Sequence, residues 1–304
     1  MTTPPPSLQV QTVLYDTDLP SVRRFVESFA AACALAQRED KVGNVDLVLG
    51  DSSNSPLVEE GQTLDTPEGP YPFENTRYVF FDANLGSAGG HNRLFDALQR
   101  DFVLVVNPDT YASPHLVVEL IAGLEDPSVG AVEARQLPLE HPKSHDPVNG
   151  DTSWASGACF LARAQVVRDI GGFDPSLFFL YCDDVDFSWR AKLHGWRVVH
   201  RPSARVFHDK RLSDSGIILA GTGEVRYSAE AAVLLAWRYS RADLAWQILD
   251  TLDTSPNPVH REVAASLRLR LQNSAAPSQI DAEHRVSQFH KGEYAIHRFS
   301  YADD

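Results

Sequence analysis

Three carboxylates crowd the stretch FLYCDDVDFSWRAKLHGW, residues 179–196: Asp183, Asp184 and Asp186 follow an aromatic run and head a helical pattern. Asp186 and Arg190 stand four residues apart, which reads as an ordinary surface ion pair on one helix face. Asp183 sits where a helix N-terminus favours negative charge. Asp184 has no such structural task, because Val185, Trp189 and Leu193 form the apolar stripe and leave it facing whatever the aromatics FFLY border. Two adjacent carboxylates beside aromatic surface push one pKa toward neutrality, which a general base requires. Asp184 is therefore the candidate base and Asp183 its partner.

Other polar breaks follow directly on apolar runs. In LVVNPDT, Pro108 cannot continue a central strand, so the chain must leave the sheet and present Asp109, a carboxylate able to hold a divalent cation. His208, at the end of RVVHRPSARVFH, returns near the acids as a second metal or phosphate contact. Asp51 in GDSSNSP is either an Asx-turn residue or an acceptor for a pyrimidine N3–H. The glycines of NLGSAGGHN, at the mouth of a helix expected to begin near Gly89, would let backbone N–H groups approach an anion. Asp18 reads as the cap of the helix that follows it.

The elements that must position these residues alternate. LQVQTVLY is predicted as a strand, LPSVRRFVESFAAACALAQ as a helix, NVDLVLG and TRYVFF as strands, SAGGHNRLFDALQR as a helix and DFVLVV as a buried strand. RVVHRPSARVFH reads as two short strands. Such alternation predicts an α/β fold with a mostly parallel central sheet flanked by helices, with ligands at the carboxyl ends of the strands. From about residue 224 the pattern turns helical, and the last polar stretch could dock on the domain or support oligomerisation. The expected organisation is a disordered leader over 1–7, a catalytic domain over 8–223 and a helical C-terminal appendage over 224–304.

Composition narrows the partners. The 304 residues carry 41 acidic against 27 basic side chains, a net charge of −14, which argues against nucleic acid or an anionic membrane surface as the main partner. A phosphorylated ligand would need backbone N–H groups or a cation to reach so acidic a chain. Cys33, Cys159 and Cys182 lie far apart without metal-ligand spacing and read as reduced, structural thiols. The N-terminus has neither a basic nor an apolar targeting region, and no segment is long and apolar enough to span a membrane, so a cytoplasmic protein is expected.

In this order the motifs GDSSNS, NLGSAGGHN, VVNPDT, WASGACFLARAQVVRDIGGFDPSLFFLYCDDVDFSWRAKLHGW and ARVFH resemble the family 2 inverting glycosyltransferases of GT-A fold, most nearly the bacterial rhamnosyltransferase-like branch. The resemblance spans about residues 8–210. It implies transfer of a sugar, rhamnose among the candidates, from a UDP- or dTDP-sugar to a hydroxyl of a glycan or lipid-linked glycan. It assigns catalysis to Asp184 with Asp183, and a Mn²⁺ or Mg²⁺ ion to Asp109 and His208. Donor binding is assigned to Tyr15, Asp16, Asp51, Asn84, Gly86, Gly89, Asn92, Asn107 and Asp109, and the acceptor wall to Trp154 and Tyr181. Asn107 stands where the first acid of the family's Asp-x-Asp motif would be, and Gly50 where many relatives carry an Asp. A homodimer through the C-terminal helices and peripheral contact at the inner membrane face are further expectations. The competing classes are a lapsed sugar-nucleotide-binding protein of the same fold and a metal-dependent phosphatase. The latter is suggested by the Asp-x-Asp of VLYDTDLP and the Gly-Asp of VLGDSSN but disfavoured because only two elements separate them, whereas in haloacid dehalogenase phosphatases the Gly-Asp motif comes far downstream.

Overall fold

The computed structural model describes residues 4–58, 72–210, 221–273 and 276–298. Its first half follows the predicted alternation: β1 (Leu8–Leu14), α1 (Leu19–Arg38), β2 (Val45–Asp51), β3 (Phe73–Phe80), α2 (Gly86–Phe95) and β4 (Phe102–Val106). β1 pairs in parallel with β2 and β4, and β2 with β3. All five residues of β4 are buried, as a continuous apolar run covered on both faces requires. Asp18 caps α1 through the Ser21 amide at 2.9 Å, with Pro20 in the first turn, so the capping role read for it is the one it plays.

The second half comprises β5 (Thr110–Ala112), α3 (Leu116–Gly123), β6 (Val129–Leu137), β7 (Cys159–Arg163), α4 (Ala164–Ile170), α5 (Asp183–Leu193), β8 (Arg197–His208), α6 (Thr222–Arg238), α7 (Ala242–Asp253) and α8 (Pro258–Leu271). The strands form one eight-stranded sheet in the order β3-β2-β1-β4-β7-β6-β8-β5. β7 runs antiparallel to both β4 and β6, and β5 antiparallel to β8. The sheet is therefore mostly parallel, as expected, with β7 and β5 reversed and its β1–β4 half uniformly parallel. These directions bring the ends of β1, β2, β4, β6 and β8 and the beginnings of β5 and β7 to one rim.

Several local expectations are corrected. RVVHRPSARVFH is one twelve-residue strand whose pairing with β6 slips: Arg201 faces Ala134 and Arg205 faces Arg135, so Pro202, Ser203 and Ala204 form a bulge that absorbs the proline. The helix expected near Gly89 begins at Gly86. Part of the leader is tied down, since Gly43 N donates to Pro6 O at 2.8 Å and the Ser7 amide and hydroxyl both donate to Asp101 at 2.8 Å. Asp186 and Arg190 do form an ion pair at 2.7 Å, but Asp186 has no exposed surface, because α6 covers it and Tyr239 Oη donates to Asp186 Oδ1 at 3.1 Å.

The C-terminal helices are less separate than an appendage. Leu234, Leu235, Leu249 and Leu267 share one apolar cluster with Phe178, Cys182, Val185 and Trp189, the residues on either side of the acidic pair. Burying that face holds the head of α5 in place. All three cysteines are free and buried. No helix among the described residues is long and apolar enough to cross a membrane.

Candidate active site

The acidic pair stands at the first turn of α5, reached through Tyr181 and Cys182, which take φ values of +68° and +54°. Consecutive left-handed residues of this kind are held only by surrounding structure. Gly86 supplies part of that hold. Its φ is +65°, and a Cβ there would lie 2.3 Å from Phe179 O, to which the Ser87 amide donates at 3.0 Å. Gly89 and Gly90 lie against Leu85 and Val13. These glycines thus serve the close packing of α2 on the 173–181 segment and β1, where the sequence suggested a phosphate cradle.

Asp183 is buried and is hydrogen-bonded to the Ser87 side chain. Asp184 is partly exposed: its Oδ2 accepts from Gly157 N at 2.7 Å and its Oδ1 from Val185 N at 2.8 Å. Burial raises both pKa values, that of Asp183 to about 7, where the charge of Asp184 adds to the effect. The Gly157 amide, and behind it the Lys143 ammonium, favour the charged form of Asp184. These contacts favour Asp184 as the acid of the pair that ionises first. Ser188 fixes the loop before β7, with its hydroxyl accepting from Ala155 N at 2.9 Å and donating to Asp184 O at 2.8 Å.

On the same rim His208 Nε2 lies 3.3 Å from Asp109 Oδ2. His208 Nδ1 sits 2.8 Å from Gln136 Oε1, an acceptor that places the ring proton on Nδ1 and leaves the Nε2 lone pair toward the carboxylate. Two lone-pair donors facing each other suit a cation between them. No group of three or more His, Cys, Asp or Glu able to hold a metal occurs among the described residues. A divalent ion held by this pair would need its remaining oxygen ligands from a bound molecule or water.

One cleft of about 390 Å³ brings together Asn107, Asp109, Trp154, Tyr181, Asp183, Asp184 and His208. The other predicted residues lie elsewhere. Tyr15, Asp16 and Asn84 are exposed on the rim, where Asp16 N donates to Ser53 Oγ at 2.8 Å and Asn84 Oδ1 accepts from Gly86 N at 3.1 Å. Asp51 is fully buried, accepting from Ser53 N (2.9 Å), Leu57 N (3.1 Å) and the Tyr78 hydroxyl, so its carboxylate organises its own loop, as the Asx-turn reading has it. Asn92 is engaged at both ends of its amide by Phe173, at 2.9 and 2.8 Å, and clamps the GGFD turn to α2 instead of facing the cleft. Gly50 is a glycine because a Cβ there would meet the Phe81 ring at 2.4 Å.

Trp154 lines the cleft, but Lys143 Nζ sits 3.9 Å from its ring centroid, and His141 and Tyr294 pack at 5.1 and 5.6 Å. Its faces are occupied, so it acts as a support more than as a sugar platform. Beneath it Glu133 binds Lys143 and His200, and also accepts from Ser156 N at 3.0 Å. Burial opposes the charge on Glu133, yet Lys143 and His200 hold its pKa down at about 2. The sequence reading missed Ser87, Gly157, Lys210, Glu224 and Tyr294 in the cleft. Ser87 and Gly157 lie inside quoted motifs, whereas Tyr294 lies in a weakly patterned tail that offers no signal.

A family model described as Glycosyl transferase family group 2 matches residues 143–219, the part that carries the acidic pair and His208. The chain is 29% identical to N-acetylglucosaminyl-diphospho-decaprenol L-rhamnosyltransferase of Mycobacterium tuberculosis, over 70% of this chain and 84% of the relative. Both similarities support a family 2 glycosyltransferase of rhamnosyltransferase-like type. Solved structures show that the chain shares the GT-A fold. A mannosyltransferase from Pyrobaculum calidifontis, in complex with GDP-Man and Mn²⁺, matches with a TM-score of 0.52 at 16% identity, over 88% of this chain and 81% of that one. GalNAc-T7 with UDP, GalNAc and Mn²⁺ matches at 0.58 and 13%, over 90% of this chain and 57% of that one.

Proposed function

We propose that this glycosyltransferase moves a sugar, with inversion, from a UDP- or dTDP-sugar to a hydroxyl of a glycan or lipid-linked glycan. The observation that carries the reading is the single cleft joining Asp184, an acid able to ionise and partly open to ligand, with the Asp109–His208 pair. Asp184 takes the proton of the acceptor hydroxyl as its oxygen forms a bond to the anomeric carbon. The bond from that carbon to the diphosphate oxygen breaks, and the nucleotide diphosphate leaves. A divalent cation held by Asp109 and His208 would neutralise charge on the departing diphosphate. Asp183, retaining its proton, spares Asp184 a second negative neighbour, and Gly157 N fixes the direction of Oδ2.

Similarity to a rhamnosyltransferase supports rhamnose as the first sugar to try, and that relative's printed name supports a lipid-linked diphospho-sugar as acceptor. Because Asp51 is enclosed, recognition of the base falls to the exposed rim around Tyr15, Asp16 and Asn84. The test is a donor screen with UDP-, dTDP- and GDP-sugars, with Mn²⁺, Mg²⁺ or chelator, following nucleotide diphosphate release and thermal shift. A uridine or thymidine donor should be turned over in a metal-dependent way. Asp184→Asn should lose roughly 10²–10⁴ in turnover while donor binding persists. Inorganic phosphate as the product, or equal loss of binding and turnover in Asp184→Asn, would defeat the proposal.

A further inference from the structure

Beyond α8 the chain runs back across the molecule. Trp237 Nε1 donates to Pro277 O at 2.9 Å, Ile280 N to Arg238 O at 2.7 Å and Ser240 Oγ to Ile280 O at 2.8 Å. Asp281 then gathers the Arg285, Val286 and Ser287 amides into a turn. At its far end the strap is sewn to the segment after β6: Ser144 N donates to Ile296 O at 2.8 Å, Arg298 N to Pro142 O at 2.7 Å, and the Arg298 guanidinium binds Glu140 at 2.6 Å. Between these anchors Tyr294 is delivered into the cleft, against the edge of Trp154 and within electrostatic reach of Asp184 and Tyr181.

This end of the cleft differs chemically from the Asp109–His208 end. Tyr181 and Tyr294 supply aromatic surface, and Glu224 in the first turn of α6 supplies a carboxylate 3.4 Å from the Tyr181 hydroxyl. With Asp183 and Asp184 that makes three carboxyl groups, while the lysine in the cleft lining, Lys210, lies by Asp109. Lys143 is buried and paired with Glu133. Aromatic faces suit the C–H face of a sugar ring, carboxylates accept from its hydroxyls, and an anionic ring would meet like charge with no lysine or arginine lining this end of the cleft among the described residues.

Resting on the transferase reading, we infer that Tyr294 and Glu224 form the acceptor subsite and select a neutral sugar ring over a uronic acid beside Asp184. Tyr294 is a specificity-determining residue contributed by the strap. The full chain is assayed with the donor it turns over and two acceptors, an alkyl hexopyranoside and the matching alkyl hexuronide. The wild type should prefer the neutral acceptor by about tenfold or more in kcat/KM, and Glu224→Gln should narrow that preference. Tyr294→Ala should raise the acceptor KM about tenfold while the donor KM holds within about twofold, and Tyr294→Leu, which keeps packing volume, should behave like Tyr294→Ala. An unchanged acceptor KM in both variants, equal losses for donor and acceptor, or equal use of the uronide would overturn the assignment alone. No nucleotide diphosphate release by the wild type from any donor would overturn the transferase reading, and this assignment with it.

Discussion

Asp183 and Asp184 differ by one position and by everything around them. The first is enclosed with Ser87, and the second accepts from Gly157 N and opens to the cleft. A protonated acid and an amide are nearly isosteric, so Asp183→Asn should keep transfer within about tenfold of wild type, against the far larger loss at Asp184. The pH dependence has a definite sign. As the proposed base, Asp184 must be ionised, and burial lifts its pKa above its ordinary value, so kcat/KM should fall as pH drops through that raised pKa. This acidic limb should survive in Asp183→Asn, and a pH–rate profile of the variant checks it; loss of the limb would assign the base to Asp183. The sequence already separated these two acids, because a helical stripe leaves only some faces free. It misread Asp186, since the residue that buries it, Tyr239, lies 53 positions away.

At the scale of elements, what positions the pair is the fit of α2 against the turn before α5. Gly86 combines a left-handed backbone with the close approach of Phe179 O, so Gly86→Ala should cost about 1–3 kcal/mol and lower turnover as the first turn of α5 shifts. Urea unfolding and kcat of the purified variant measure the two effects; full stability with full activity would show that the segment tolerates displacement. Strands and helices with strong period were legible, β4 and α1 above all, because burial on two faces or on one stripe writes itself into residue order. The reversed directions of β5 and β7 were not. Strand polarity is decided by where connections cross, and short apolar runs such as TYA and CFLAR read alike in either direction.

Over the whole molecule, the C-terminal helices meet the sheet domain through the shared apolar cluster and, within it, a buried charge bonded to one phenol. Tyr239→Phe removes a donor to Asp186, whose neighbour Arg190 is also largely enclosed, and should lower stability by about 1–3 kcal/mol, read from urea unfolding. If unfolding splits into two transitions in this variant, the helices are held chiefly by that contact; a single transition would mean that the shared apolar cluster suffices. The position of the strap has a further consequence for synthesis. Chains fold from the N-terminus as they emerge, so the sheet with Asp109, Asp184 and His208 leaves the ribosome before residues 276–298 do. A nascent chain therefore emerges with the Asp109–His208 end of the cleft first and gains the Tyr294 wall only once the strap has followed.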